Sequence, residues 1–510
     1  MASLPDWLDP LPDAGEQRAL DEWAIGERGI AGLELMERAG TGLAELTGSL
    51  VPAGRIVVVC GKGNNGGDGL VAARVLRTRA REVDVLLLAD PGELRGDAAT
   101  NLERLPGAPP APFSADALAG ARGIIDAILG TGFRGEPREP AAGAIEAINA
   151  AGEDAAVVVA CDIPSGVDAS TGEALGVAVQ ARATATFHAG KPGVWINPGK
   201  TRAGEVRVID IGIPDGGPAD PRIGLIPGRV VAGIPRRGRE STKFAAGSVL
   251  VCGGSRGLTG APCLASESAM RAGAGYVTAF VPASLNAIFE ARLLEVMTAP
   301  LPDADGSLEP AGVEQVVARA ERADAFVLGP GLGRAPEALE FARTAAREVN
   351  LPMLLDADGL NAHAGALGSL ADRAAPSVLT PHAGELARLL DSDSAAVGAR
   401  RLEGVRRASR EAQAIVVLKG DDTLVATPDG RVAVNQGGAS ALATAGTGDV
   451  LSGVIGAFLA KGMDPWHAAC AGVLVHARAG QLTAREIGPE GVIASDVIAA
   501  LPRARASLEG

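Results

Sequence analysis

Short apolar runs, each closed by a loop of glycines and a few polar residues, recur along this chain and constrain its fold more than any other feature. Arg55–Cys60 (RIVVVC) runs into GKGNNGGDG, Gly123–Leu129 into GTGFRGE, Ala155–Cys161 into DIPSGVD, and Ser248–Cys252 into GGSRGLTGAP. Runs this short and continuous suit strands buried on both faces of a parallel sheet. Helical stretches between them would cover that sheet, and the loops would gather at its carboxyl edge, where such sheets bind ligands. Hydrophobic residues make up 47% of the chain but aromatics only 3%, so the core is built from Ala, Val, Leu and Ile. An α/β protein is expected, and 510 residues are too many for one core, so two domains are expected as well.

The Pro- and Gly-rich stretch IPDGGPADPRIGLIPGRVVAGIPRRGR (Ile213–Arg239) marks the joint. It places a first domain over residues 1–225, a linker with one short strand, Arg229–Val231, over 226–240, and a second domain over 241–510. In the first domain Ala14–Leu50 has the spacing of two helices, and a third is expected over Leu70–Arg79. In the second, strands are expected at Tyr276–Val281, Ala325–Leu328, Met353–Leu355, Ser377–Leu379 and Ile415–Leu418, and a helix over Ala261–Ala274. A net charge of −14 argues against nucleic-acid or anionic-membrane surfaces, which makes a small ligand the expected partner. No apolar run approaches the ~20 residues a bilayer requires, and five scattered cysteines read as buried thiols, so a cytoplasmic protein is expected.

With 69 glycines, a G-x-G-x-x-G pattern arises by chance, and only motifs with rarer residues carry information. In GNNGGDG, Asn64, Asn65 and Asp68 offer oxygens suited to a ligand hydroxyl or a hard cation. Asp126, Asp162 and Ser165 stand at or just beyond the ends of neighbouring strands and would converge with Asn65 at one sheet edge. The second half decorates its strand ends with GPGLGR (Gly329–Arg334), DADGLN (Asp356–Asn361), TPHAGEL (Thr380–Leu386), KGDDT (Lys419–Thr423) and NQGG (Asn435–Gly438). It closes with TAGTGDVLSG (Thr444–Gly453), a glycine loop opening a helix with Asp449 in its first turn. Free backbone N–H groups there cradle phosphate, although Asp449 also fits a plain helix cap. Lys419 ends an apolar strand, where it either reaches solvent or neutralises phosphate, and His382 stands in a loop suited to polar contact.

LMERAG (Leu35–Gly40), GNNGGDG, DAILGTG (Asp126–Gly132), DIPSGVD and Lys191 together resemble the NAD(P)H-hydrate epimerase family over about residues 14–215. The resemblance implies a Rossmann-like domain that interconverts the R and S epimers of nicotinamide cofactors hydrated at ring carbon 6. By motif, Asn64, Asn65, Gly66, Gly67, Asp68, Gly130, Thr131, Gly132, Phe133, Arg134, Gly135, Glu136, Asp162 and Lys191 would hold the hydrate. Asn65, Asp126 and Ser165 would ligate potassium. Asp162 is the expected acid or base, with Asp68 and Lys191 as alternatives.

From about Lys243 to Leu501, GPGLG, TPHAGEL, KGDDT and AGTGD resemble the ADP/ATP-dependent NAD(P)H-hydrate dehydratase family, a ribokinase-like branch. Thr242 stands where many relatives have His, a departure at that position. The resemblance implies that Lys419, Gly420, Asp421, Asp422, Thr423, Gly446, Thr447 and Gly448 contact the adenine nucleotide. Ala261, Gly331 or Gly333, His382 and Asp449 would contact the hydrate. Phosphorylating the carbon-6 hydroxyl makes it a good leaving group. Asp449 would take its proton while the AGTG amides and Mg²⁺ absorb the charge. The expected protein is a homo-oligomeric repair enzyme acting on NADHX or NADPHX with ADP or ATP, ADP being favoured by family habit. A small-alcohol kinase carrying a non-catalytic N-terminal binding module is the competing expectation.

Overall fold

The apolar runs of the first half form one parallel sheet. Across it, in order, lie Ala111–Pro112, Val83–Leu87, Ile56–Cys60, Gly123–Ala127, Val157–Cys161, Ala183–Phe187 and Glu205–Ile209. Ile56–Cys60 is buried throughout because both its faces are covered. Ile56, Val58 and Cys60 join Leu43, Leu46 and Leu70 on one side, while Val57 and Val59 join Ile145 and Ile148 on the other. The chain enters the sheet in its middle, moves outward to Ala111–Pro112, then returns to Gly123–Ala127 on the opposite side. That reversal opens a crevice between the loops leaving Cys60 and Ala127, where doubly wound sheets take ligands.

The computed structural model describes residues 3–239 and 242–509. They divide into two units, Pro10–Ile223 and a second made of residues 3–9 with 224–509. Within the second unit Trp7 stacks on His467 at 4.6 Å and meets Trp466 edge-on at 5.3 Å. The domain boundary expected at residues 240 and 241 lies outside the described residues.

In the second unit the parallel strands run Ile415–Leu418, Ser377–Leu379, Met353–Leu355, Ala325–Leu328, Ser248–Cys252, Tyr276–Pro282 and Met297–Leu301. Leu424–Ala426 and Val432–Val434 extend this sheet antiparallel. Its order reverses between Ser248–Cys252 and Ala325–Leu328, so a second crevice lies between the loops that follow them. Helix Thr447–Ala460 packs closely on helix Gly260–Ala272, since a methyl at Gly453 would stand 2.0 Å from the Ala265 carbonyl oxygen.

Two local expectations need correction. Helix Asn64–Thr78 starts at Asn64 rather than Leu70, so the Asn pair and Asp68 occupy its first two turns. Its glycines permit close approach: a methyl at Gly66 would stand 2.0 Å from the Gly61 carbonyl oxygen. Arg229–Val231 is not a strand in a linker but part of a 3-10 helix, Gly228–Gly233. Val230, Val231 and Ile234 are buried in the second unit's core, with the Val230 carbonyl 2.8 Å from His467 Nε2. The valines suggested β structure, but their burial against a helical layer decides the outcome.

Candidate active sites

The first crevice opens into a cleft of about 980 Å³, at the upper end of small-ligand sites. Asn64, Asn65, Asp68, Gly130, Thr131, Gly132, Phe133, Arg134, Asp162 and Lys191 line it. Gly66, Gly67, Gly135 and Glu136 do not. The first two are buried in helix packing, and Glu136 is exposed, with its side chain against Gly176. The sequence reading missed Gln17 and Asp21, which reach the cleft from helix Ala14–Gly26. Helical spacing was visible there, but nothing in the spacing says that the polar face looks into a site.

Lys191 is 0% exposed. Its Nζ donates to Asp162 Oδ1 at 2.6 Å, to the Phe187 carbonyl at 2.7 Å and to Thr186 Oγ1 at 3.2 Å. Asp162 has positive φ (63°), a conformation that Asp tolerates better than most residues. Burial first, then the charges of Asp162 and Asp21, push the Asp68 carboxyl well above the usual carboxylate range, with Lys191 opposing. Burial likewise raises Asp21, against a hydrogen bond from Gln17 Nε2 at 2.9 Å.

Beneath this cluster Asp126, 0% exposed, accepts from Ser165 Oγ at 2.6 Å and from the Ser165 N–H at 2.8 Å. Burial raises its carboxyl to about 6 against those bonds and one from the Ile128 N–H. Asn65 lies against Gly130, and its Nδ2 is buried without a hydrogen-bond partner. A buried anion balanced by hydrogen bonds rather than by charge, beside a hydroxyl, offers oxygens of the kind a hard cation takes, whereas the Asn65 Nδ2 is a donor that calls for an acceptor.

In the second unit the polar centre is Asp356, 2% exposed, just beyond strand Met353–Leu355. Its Oδ1 accepts from Lys419 Nζ at 2.9 Å and its Oδ2 from Ser452 Oγ at 2.7 Å. Lys419 also stands 3.6 Å from Glu385. Although burial lowers the Lys419 pKa, Asp356 and Glu385 more than reverse this, and the net shift is upward. Helix Thr447–Ala460 begins at Gly446 (φ 88°), and a methyl at Gly448 would stand 3.5 Å from Lys419 Nζ. Asp449 in its first turn is raised to about 7, by burial first and then by Asp356, against Lys419. DADGLN was noticed in the sequence, but Asp356 and Ser452 were assigned no role. Only their convergence on Lys419 reveals one.

The remaining residues fall into three groups. Gly331 and Gly333 have positive φ (63° and 84°), and Ala261 packs beside Gly331, so these three meet at the second crevice. The Gly333 N–H donates to Asp358 at 3.0 Å. His382 caps helix Ala383–Leu389, its Nδ1 accepting from the Gly384 N–H at 3.0 Å, and burial lowers its pKa. In KGDDT, Gly420 and Thr423 bond each other, and the Asp421 carbonyl accepts from the Gly438 N–H at 2.9 Å. Asp422 departs from the expected nucleotide contact. It is 1% exposed and paired through both oxygens with buried Arg401, each contact 2.9 Å. Thr447 Oγ1 donates to the Leu442 and Thr444 carbonyls at 2.7 and 2.8 Å, so this hydroxyl shapes the phosphate-type loop from within.

The first unit thus carries its charged residues at a topological switch point, over a cleft of buried carboxylates, and the second carries its own beyond strands Met353–Leu355 and Ile415–Leu418, at a glycine-capped helix start with a lysine. This is the build of a two-site enzyme acting on small polar ligands. A family model described as NAD(P)H-hydrate dehydratase matches residues 249–503, and one described as YjeF-related protein N-terminus matches 32–193. The bifunctional NAD(P)H-hydrate repair enzyme of Moorella thermoacetica is 40% identical, covering 98% of this chain and 97% of its own length. That of Salinibacter ruber is 38% identical over the same shares. A solved ADP/ATP-dependent NAD(P)H-hydrate dehydratase from Bacillus subtilis, co-crystallized with ATP/Mg²⁺, is 29% identical, covers 55% of this chain and 96% of its own, and gives a TM-score of 0.45. The chain belongs to the bifunctional NAD(P)H-hydrate repair enzyme family.

Proposed function

We propose that this protein repairs hydrated nicotinamide dinucleotides in the cytoplasm, equilibrating the R and S epimers at its first unit and dehydrating the S epimer at its second at the expense of ADP or ATP. The observation that carries the reading is Asp449, a carboxylate with a carboxyl raised to about 7, beside Lys419 at the start of a glycine-led helix. Near neutral pH such a group can take the proton of the carbon-6 hydroxyl as that oxygen attacks the terminal phosphoryl group. Lys419, held by Asp356, and the N–H groups at the helix start balance charge on the phosphates. Loss of phosphate then leaves the dihydronicotinamide.

Among the described residues no group of three or more His, Cys, Asp or Glu side chains is arranged to hold a metal ion. Mg²⁺ would accordingly arrive on the nucleotide's phosphates, where it supplies charge neutralisation. In the first unit Asn65, Asp126 and Ser165 would hold potassium, which supplies the positive charge that Asp126 lacks. Asp162 and Lys191 lie against the hydrate, with Asn64, Asn65 and Gly130–Arg134 around it.

The test is recovery of dihydronicotinamide near-ultraviolet absorbance from a mixed R and S hydrate given Mg²⁺, K⁺ and either nucleotide. Complete, nucleotide-dependent recovery is expected. A fast partial phase followed by the slow spontaneous one would leave only the second unit active. No recovery with either nucleotide, alongside phosphorylation of a small alcohol, would replace the reading with the kinase.

A further inference from the structure

Of the carboxylates that line the first-unit cleft, Asp162 and Asp68 are built differently. Asp162 is held in place: its Oδ1 accepts from Lys191 Nζ at 2.6 Å, from Thr186 Oγ1 at 3.0 Å and from the Phe187 N–H at 3.0 Å. Protonating it would leave a buried ammonium without its counter-ion. Asp68 lines the same cleft from helix Asn64–Thr78. It is only 8% exposed, and among the described residues no donor makes a hydrogen bond to its carboxylate. A buried, unpartnered polar group that borders a ligand cleft awaits its partner in the ligand.

We propose that Asp68 is the proton carrier of the epimerisation, while Asp162 and Lys191 form the fixed ion pair that positions the substrate. The assignment rests on the reading of the first unit given above. Asp162, Asp21 and Lys191 are the charged groups around Asp68, with the thiols of Cys60 and Cys161 close by. Their sum and burial favour the protonated carboxyl, the form that can give a proton through one oxygen and receive one through the other.

The step balances without an oxidant or a second reactant. Carbon 6 of the hydrate carries a hydroxyl and the ring nitrogen. On opening, the carbon–nitrogen bond breaks and its electron pair goes to nitrogen, which takes the Asp68 proton. The hydroxyl proton passes to the other Asp68 oxygen as the O–H pair becomes the carbonyl π bond. Rotation about the neighbouring carbon–carbon bond presents the opposite carbonyl face to nitrogen. The same two transfers in reverse then close the ring with inverted configuration. Asp162 keeps its lysine throughout.

The experiment uses the full chain and follows the R and S epimers by chromatography without nucleotide. Asp68→Asn should lose kcat for epimerisation by about 10²- to 10⁴-fold with KM within a few-fold of wild type. The same preparation, given nucleotide, should dehydrate the S epimer at the wild-type rate. Asp68→Ala should regain turnover on addition of formate, which no merely structural role of Asp68 would produce. Wild-type kcat should fall as pH rises through the elevated Asp68 value. Epimerisation by Asp68→Asn within tenfold of wild type would overturn the assignment, as would formate rescue of Asp162→Ala but not of Asp68→Ala. A wild type that dehydrates the S epimer yet never interconverts the two would overturn the reading of the first unit, and the assignment with it.

Discussion

The pH dependence of dehydration should report Asp449 directly. A base must be ionised, and its carboxyl is raised to about 7, so about half the enzyme is competent at pH 7. Below that value kcat should fall about tenfold per pH unit, and above it kcat should level off. Asp356 is the largest contributor after burial, and its charge also partly neutralises Lys419. Asp356→Asn therefore removes a neighbouring anion and leaves Lys419 more positive. Both changes favour ionised Asp449 and should move the acidic limb down by about one unit, roughly 1.4 kcal/mol. The plateau should drop as well, because Lys419 and Ser452 lose their common acceptor. Asp449→Asn should lose about 10²- to 10⁴-fold in kcat at every pH while nucleotide Kd stays within a few-fold. Stopped-flow recovery of dihydronicotinamide absorbance from pure S hydrate between pH 5 and 9 measures all three. A wild-type limb in the ordinary carboxylate range near 4, an upward shift in Asp356→Asn, or strong turnover by Asp449→Asn would refute the reasoning.

Two further outcomes follow from buried charge. Potassium should raise the melting temperature of the wild type more than sodium at equal ionic strength, and Asp126→Asn should abolish the difference; equal responses in both proteins would remove Asp126 from a cation site. Asp422→Ala strands Arg401, which is 7% exposed, and should cost the second unit about 3–5 kcal/mol. Denaturation followed by loss of dehydratase turnover measures that cost. A stable variant with weakened nucleotide binding would instead return Asp422 to the nucleotide site.

Runs such as Ile56–Cys60 and Val249–Cys252 declare themselves in the sequence because burial on both faces leaves little room for polar residues. Loops at their ends could be read for the same reason: polar residues of uncommon type, such as Asn64–Asn65 or Asp449, stand out beside glycine. Pairing was another matter. Asp356, Ser452 and Lys419 lie far apart along the chain, and only the sheet order brings them together. Asp422 looked like its neighbour Asp421, yet one is buried on Arg401 and the other exposed, a difference set by side-chain direction at a strand end. Asp21 was hidden differently. A polar position on an amphipathic helix ordinarily faces water, and nothing local marks one that faces a cleft.

Because residues 3–9 group with 224–509, the first unit is in effect an insert within the second. A chain leaving the ribosome completes Pro10–Ile223 while Trp7 still waits for helix Pro465–Ile487, which bears His467 and Trp466. Dividing the two activities near residue 224 would therefore yield an intact epimerase but a dehydratase whose Trp466 and His467 rings have lost their neighbour. A fair comparison of the isolated activities would graft the Trp7 segment back onto the second unit.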